Sequence, residues 1–142
     1  MTVKYKDSIE YKAIQRIKKV HSNVVLRQDL TDLGSYRQVS RVLNKLIDAN
    51  ELIKIGVGIY AKAYFNEMFN KAVLKGGFSQ TCKEALDRKG VKWEYGTAIQ
   101  EYNAGLTTQV PCRLVVKLKT RYRGKISYNK QRLRVEKGIN AR

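Results

Sequence analysis

The chain has 142 residues, 43% of them hydrophobic, which is enough for the core of one domain or of one small domain with an appended half. Its formal net charge of +17 is uneven, because residues 113–142 carry 11 basic side chains and 1 acidic one, and such an excess favours a polyanionic partner, foremost nucleic acid. No apolar run approaches the roughly 18 residues that span a bilayer, and the N-terminus lacks the apolar core of a secretory signal, so we expect a cytoplasmic protein with no membrane partner.

The N-terminal segment predicts two short helices separated by a short strand. Ser8 or Asp7 is placed to cap a first helix that continues to about Lys19. Residues 24–26 are apolar and predict the strand, and residues 27–33 predict a short second helix before a glycine turn.

A longer helix is predicted to begin after Ser35. Ser35 and Gln38 have the spacing of a capping box, and Asn50 is placed to end the helix with a left-handed residue. Apolar residues recur at helical spacing on one face, while the opposite face is polar and basic. The apolar runs 52–55 and 59–61 then flank a glycine-bearing turn, which predicts a β-hairpin. A helix followed directly by a two-stranded wing predicts a winged helix-turn-helix over residues 1–62.

The outward face of this helix is the predicted DNA-binding surface. A charged helix face is often only a solvated surface, but in a winged helix such residues contact base edges while the wing contacts phosphates. Arg37, Arg41 and Asn44 are predicted to contact bases, because arginine pairs with guanine and asparagine with adenine. The predicted surface for double-stranded DNA consists of Ser35, Tyr36, Arg37, Gln38, Arg41, Asn44, Lys45, Lys54, Tyr60 and Lys62.

Residues 63–142 predict a second, small domain, so the fold class is α+β, with a winged helix-turn-helix followed by a helical and antiparallel β region. Helices are predicted over residues 66–74, 79–88 and 97–104. From residue 112 onward, alternating side chains predict two or three strands, with these residues facing inward: Leu114, Val116, Leu118, Leu133 and Val135. A second basic surface is predicted on one strand face, and it consists of Lys117, Lys119, Arg121, Arg123 and Lys125. Three alternatives are open for this surface: it contacts a phosphate backbone, it contacts an acidic protein surface, or it is only solvated.

Residue types that carry catalysis or bind metals are sparse. Cys82, Cys112 and His21 do not form a zinc site of familiar spacing. The chain has no His-Glu-x-x-His pair, no glycine-flanked nucleophilic serine and no phosphate loop. Residues 56–61 match a dinucleotide-binding glycine pattern, but a strand is predicted where that motif requires a helix. The sequence therefore predicts a protein that is not an enzyme and that needs no metal or cofactor.

Two segments resemble the AbiEi-like family of type IV antitoxins. They are QVSRVLNKLIDANELIKIGVGIYAK at residues 38–62 and, more weakly, ALDRKGVKWEYGTAIQEYNAGLTTQVP at residues 85–111. The resemblance implies an N-terminal winged helix that binds repeats in the promoter of its own operon, and a C-terminal domain that antagonises a nucleotidyltransferase-type toxin. The basic strands end soon after Val135, so we expect the larger C-terminal domain of full antitoxins to be only partial here.

The leading hypothesis is a sequence-specific double-stranded DNA-binding transcriptional regulator that represses its own operon. The first alternative is a phage or mobile-element protein that inhibits a toxin or a host defence complex by protein contact. The second alternative is a basic RNA-binding protein. A toxin or defence protein and a second copy of the chain, as in a homodimer, stay open as further partners.

Overall fold

The structure is a computed structural model that describes residues 8–136. The chain divides into two compact units, residues 1–77 and residues 78–142. Helices and strands both contribute to the described range, which confirms the predicted α+β class. Within residues 8–136, every helix is too short or too polar to cross a bilayer.

The first unit begins with helices packed around a short strand. Helix α1 spans Ile9–Lys19, and Ser8 caps it, because Ser8 Oγ accepts a hydrogen bond of 3.1 Å from the Tyr11 N–H. Strand β1 spans Val24–Leu26, and a 3-10 helix spans Arg27–Leu33. These elements confirm the order predicted for the N-terminal segment.

Helix α2 spans Tyr36–Asp48, and both of its predicted ends are confirmed. The Gln38 N–H donates to Ser35 Oγ at 3.2 Å, and the Ser35 N–H donates to Gln38 Oε1 at 2.8 Å, which completes the capping box. Asn50 has φ +62°, and the Glu51 N–H donates to the Leu46 carbonyl at 3.0 Å. This pattern is the left-handed helix termination that favours asparagine or glycine.

Strands β2 (Leu52–Gly56) and β3 (Ile59–Asn66) form the wing and complete an antiparallel sheet in the order β1-β3-β2. The connecting turn is tight, and Gly58 lies in it with φ +69°. The core draws on every element of this arrangement, and its members are Ala13, Val25, Leu30, Val39, Val42, Leu43, Leu46, Leu52 and Tyr60. The predicted winged helix-turn-helix is therefore confirmed as the architecture of the first unit.

The helix predicted over residues 66–74 is wrong. Strand β3 continues to Asn66, the chain turns, and strand β4 (Lys71–Leu74) pairs with β3 antiparallel. Turn chemistry decided the outcome, because Asn66 Oδ1 accepts a hydrogen bond of 3.2 Å from the Phe69 N–H, and Asn70 adopts φ +51°. The domain boundary predicted after residue 62 falls inside β3, and the first unit continues to Gly77.

The second unit begins with two helices that confirm the predictions over residues 79–88 and 97–104. Helix α3 spans Gly77–Arg88 and helix α4 spans Thr97–Asn103, with strand β5 (Trp93–Tyr95) between them. The remaining strands are short, and they are β6 (Val115–Leu118), β7 (Ser127–Tyr128), β8 (Gln131–Arg132) and β9 (Arg134–Val135).

The strand region of the second unit differs from its prediction in number, pairing and burial, since four short strands lie within residues 112–136 where two or three are predicted. Strands β5 and β6 pair antiparallel, as do β7 and β8, but β6 and β9 pair in parallel. Val116 is buried as predicted, whereas Val135 is 48% exposed, because β9 lies at the edge of the sheet order β5-β6-β9. Leu114, Leu118 and Leu133 are half-buried.

Candidate nucleic-acid interface

Helix α2 has one buried face and one exposed face. Val39, Val42, Leu43 and Leu46 are buried in the core of the first unit, which fixes the rotation of the helix about its axis. The opposite face exposes three side chains that can bind a nucleic acid, and they are Arg37, Arg41 and Asn44. Among the described residues, no hydrogen bond or ion pair engages these three side chains, so their donors are available to a ligand.

Contacts between α1 and the 3-10 helix hold the segment that leads into α2. The Arg16 guanidinium binds Asp32 and also donates to the Asp29 carbonyl at 3.1 Å. The hydrogen bond from Arg16 lowers the pKa of Asp32 below its ordinary value. The Leu26 N–H donates to Asp29 Oδ2 at 3.0 Å. The two elements that precede α2 are therefore tied together by charge-assisted bonds.

The turn into α2 is closely packed at Gly34. A Cβ added at Gly34 would lie 2.7 Å from Gln38 Oε1 and 2.8 Å from Ile9 Cδ1, so the ends of these two side chains would have to shift. Gly34 has φ 175°, which any residue adopts, so the preference for glycine comes from close packing and not from backbone strain. The absence of a side chain lets the capping box and α1 approach each other.

Arg27 is a candidate residue that the sequence analysis missed. Its guanidinium carbon lies 4.1 Å from the centroid of the Tyr36 ring, at the first residue of α2. The backbone N–H of Arg27 also donates to the Gly58 carbonyl in the wing turn, at 3.0 Å. Arg27 therefore joins the start of α2 to the wing. Its position directly after the buried strand β1 is a local signal, but its contacts come only from the tertiary fold.

The wing exposes Lys54 and the apolar tip residue Val57, which is 89% exposed. Tyr60 is only 3% exposed and belongs to the core, so its predicted contact with DNA is wrong. Lys62 lies two residues further on, on the same strand face, and its Nζ donates to the Val20 carbonyl at 2.6 Å. Lys62 is half-buried and holds the end of α1, which is a structural role rather than the predicted contact with phosphate.

The other predicted α2 residues divide into engaged and exposed side chains. Lys45 Nζ lies 2.8 Å from Glu10 Oε2, so this predicted phosphate contact is occupied by an ion pair to α1. The side chains of Ser35 and Gln38 form the capping box. Tyr36 is 73% exposed next to Arg27. The structure therefore brings together an exposed set on α2 and the wing, consisting of Tyr36, Arg37, Arg41, Asn44 and Lys54, with the half-buried Arg27 of the 3-10 helix beside Tyr36.

The second basic surface does not form the continuous strand face that alternation predicts. Only Lys117 lies in a strand, because β6 ends at Leu118 and residues 119–126 lie outside helices and strands. Lys117 Nζ lies 3.4 Å from Glu136 Oε2, and Lys119 Nζ lies 3.5 Å from Glu94 Oε2. The remaining members of the predicted surface are exposed on the irregular segment, and they are Arg121, Arg123 and Lys125.

Candidate metal ligands do not converge in the part of the chain that the structure describes. Residues 8–136 contain no group of three or more His, Cys, Asp or Glu side chains arranged to hold a metal ion. Burial raises the pKa of the Cys82 thiol to about 12, which keeps it protonated and unreactive, and Cys112 is a free exposed thiol.

The fold and the exposed face of α2 define the class of the first unit, a winged helix-turn-helix domain. The chain belongs to a family of unknown function, DUF6088, whose family model matches residues 9–139. No curated protein and no solved structure matches the chain.

Proposed function

We propose that this protein is a sequence-specific double-stranded DNA-binding transcriptional regulator. The observation that carries the proposal is the face of α2 on which Arg37, Arg41 and Asn44 are exposed and unengaged among the described residues. An α-helix fits the major groove, where arginine donates to a guanine edge and asparagine pairs with an adenine edge. The buried stripe on the other side of α2 holds these three side chains in one orientation.

The wing supplies the second part of the proposed contact. Lys54 is exposed on β2, and Arg27 links the wing turn at Gly58 to Tyr36 at the start of α2. In a winged helix, this edge of the domain lies beside the phosphates that flank the major groove. We therefore assign Lys54 to a phosphate contact and Arg27 to the positioning of Tyr36.

The resemblance to AbiEi-like antitoxins supports a target in the promoter of the protein's own operon. In this proposal the protein acts in the cytoplasm, has no enzymatic activity, and represses transcription of its operon. A homodimer would require an inverted repeat whose half-sites are about 10 base pairs apart, or a multiple of that distance.

The test compares Arg41→Ala with the wild-type protein on the protein's own upstream DNA and on a shuffled duplex. We expect Arg41→Ala to weaken binding to the preferred site by about 1 to 3 kcal/mol and to reduce the preference over the shuffled duplex. Arg41→Lys should also lose preference, because lysine keeps the charge but not the two-pronged donor geometry. Fluorescence anisotropy across a salt series measures both quantities.

Lys19→Ala is the matched control, because it removes one exposed positive charge at the end of α1. The loss of affinity in Lys19→Ala should be equal on both duplexes and smaller than the loss in Arg41→Ala on the preferred site. Equal wild-type affinity for the two duplexes, unchanged in Arg41→Ala, would contradict base readout by α2.

Lys54→Ala should behave differently from Arg41→Ala. Removal of a phosphate contact weakens all duplexes alike and lowers the slope of log affinity against log salt concentration by about 1. The same salt series measures this slope. A sequence-dependent loss in Lys54→Ala would mean that the wing contacts bases.

A second candidate function, inhibition of a protein partner, is favoured by the exposed apolar surface of the β3–β4 hairpin. Met68 is 88% exposed and Phe69 is 62% exposed, and Tyr64 and Phe65 are also exposed on β3. Large exposed apolar side chains that form a patch mark protein interaction sites. A toxin or a host defence complex is the partner that this alternative proposes, and absence of duplex binding in the experiment above would favour it.

A further inference from the structure

The second unit contains a cavity whose rim is basic. The cavity has a volume of about 810 Å³, and Arg113, Lys130, Arg132 and Arg134 are among the residues that line it. These four residues are exposed, and no hydrogen bond or ion pair engages their side chains within residues 8–136. A volume of this size lies in the range of small-molecule and nucleotide sites.

No carboxylate compensates this charge among the described residues that line the cavity. Two acidic side chains of the second unit bind lysines that do not line this cavity, since Glu94 binds Lys119 and Glu136 binds Lys117. Asp87 Oδ1 accepts a hydrogen bond of 2.7 Å from Trp93 Nε1. Four uncompensated cations around one concave surface raise the local potential and attract an anionic ligand.

The cavity also has apolar walls, and a second cavity shares two of its lining residues. Phe78, Leu114 and Leu133 line the large cavity. The second cavity, of about 380 Å³, shares Arg132 and Leu133 with the first and is also lined by Tyr122 and Lys125. Both cavities therefore combine cationic and apolar lining residues, and their volumes exceed what one small anion requires.

This combination favours a single strand of nucleic acid over a duplex. A duplex presents its phosphates on a convex surface and keeps its bases stacked inside, so it would leave apolar concave walls unfilled. A single strand can place its phosphates on the cations and insert unstacked bases between apolar or aromatic side chains. We infer that the second unit binds single-stranded nucleic acid, with phosphates at Arg113, Lys130, Arg132 and Arg134 and bases in the two cavities. This activity is separate from duplex binding by α2.

The experiment uses the full chain with Arg37→Ala and Arg41→Ala already introduced, so that duplex binding by α2 does not contribute. Fluorescence anisotropy with labelled 12-nucleotide DNA, RNA of the same sequence, and the matching duplex should show tighter binding of the single strands. The ratio of the DNA and RNA affinities then identifies which source of single strand is preferred.

Arg132→Ala is the decisive variant, because Arg132 lines both cavities. It should lower single-strand affinity roughly tenfold, as expected for one charge-assisted hydrogen bond, and lower the salt slope by about 0.7. Phe78→Ala should lower single-strand affinity without changing the salt slope, because it removes an apolar wall and no charge. Far-UV circular dichroism verifies that each variant is folded.

Lys89→Ala is the matched control. Lys89 is exposed just after α3, whereas Phe78 and Ser79 line the cavity near the other end of that helix, which at 12 residues is roughly 18 Å long. An equal loss of affinity in Arg132→Ala and Lys89→Ala would show that binding depends only on net positive charge and not on the cavity, which would overturn the inference. Equal affinity for single strand and duplex, or competition by polyglutamate as effective as competition by the oligonucleotide, would also overturn it.

Discussion

The basic face of α2 and the basic rim of the cavity in the second unit differ in how firmly secondary structure holds their side chains. On α2, the exposed arginines lie on a helix of 13 residues whose ends are fixed by a capping box and by Asn50. In the second unit, Arg132 ends a strand of two residues, Lys130 lies in a turn, and Arg113 lies outside helices and strands. One surface is a convex helix face, and the other is the rim of concave cavities.

The difference in rigidity matches the difference between the two proposed ligands, duplex DNA at α2 and a single strand in the second unit. Base edges in the major groove have a fixed spacing, so their readout requires side chains held in one geometry by a packed helix. A single strand bends and splays its bases, so it adapts to cations on short strands and turns. Changes that loosen α2 should therefore reduce duplex preference and leave single-strand binding unchanged.

The largest expected effect comes from Leu43→Ala, which removes the buried support of α2. Leu43 is 0% exposed in the core of the first unit, so the substitution leaves a cavity and lowers the free energy of unfolding by about 2 to 5 kcal/mol. Urea unfolding followed by circular dichroism measures this loss. Amide hydrogen exchange should show faster opening of α2.

Leu43→Met is the control for this prediction, because it conserves volume and should cost less than about 1.5 kcal/mol. If Leu43→Ala and Leu43→Met are equally stable, the stripe beneath α2 does not support it as the buried contacts indicate. If Leu43→Ala loses single-strand and duplex binding equally while still folded, the two surfaces are not separate.

A smaller effect is expected from Ser35→Ala, which removes one half of the capping box. Loss of a serine cap typically costs about 0.5 to 2 kcal/mol, and it should fray the first turn of α2, where Arg37 lies. Duplex preference should fall while single-strand affinity is unchanged. Ser40→Ala makes the same chemical change inside the helix and should be neutral or slightly stabilising. Identical behaviour of the two variants would show that the cap does not hold the contact surface.

The sequence could predict α2 because local signals agree there. The apolar stripe, the pair Ser35 and Gln38, and the terminating Asn50 all indicate the same helix. Over residues 66–74, apolar residues also recur at helical spacing, but turn residues begin the segment at Asn66 and interrupt it at Asn70. Cross-strand pairing with β3 then outweighed the periodicity. Agreement between periodicity and end signals therefore distinguished the correct helix from the incorrect one.

The sequence could predict the candidate site only where the periodicity of a single helix determines which side chains are exposed. The outward direction of Arg37 and Arg41 follows from the buried stripe on the same helix. The engagement of Lys45 and Lys62 does not, because Glu10 lies 35 residues from Lys45 and Val20 lies 42 residues from Lys62. The larger of the two described cavities of the second unit forms from segments distant in sequence, near residues 78–82, 112–114 and 130–134. No periodic pattern connects these segments.

The smallest expected effect distinguishes the two units by acid titration of one carboxylate in each, the exposed Asp32 in the first and the half-buried Glu136 in the second. Hydrogen bonds from Thr97, followed by Lys117, lower the pKa of Glu136 below its ordinary value of 4.5, and Arg16 lowers the pKa of Asp32. A lowered folded-state pKa means that the unfolded chain binds the proton more readily, so this stabilisation is present above the ordinary pKa and is lost as pH falls through the folded-state pKa.

We expect Glu136→Gln to be less stable than the wild type at pH 6 and to approach the stability of the wild type at pH values well below 4.5. Urea midpoints between pH 6 and pH 2.5 measure the convergence, and Asp32→Asn provides the matching series for the first unit. Thr97→Val retains the Glu136 charge but removes the Thr97 hydroxyl donor, so it should reproduce part of the effect. A constant difference between Glu136→Gln and the wild type at every pH would show that the Glu136 carboxylate stabilises the second unit by packing and not by its charge.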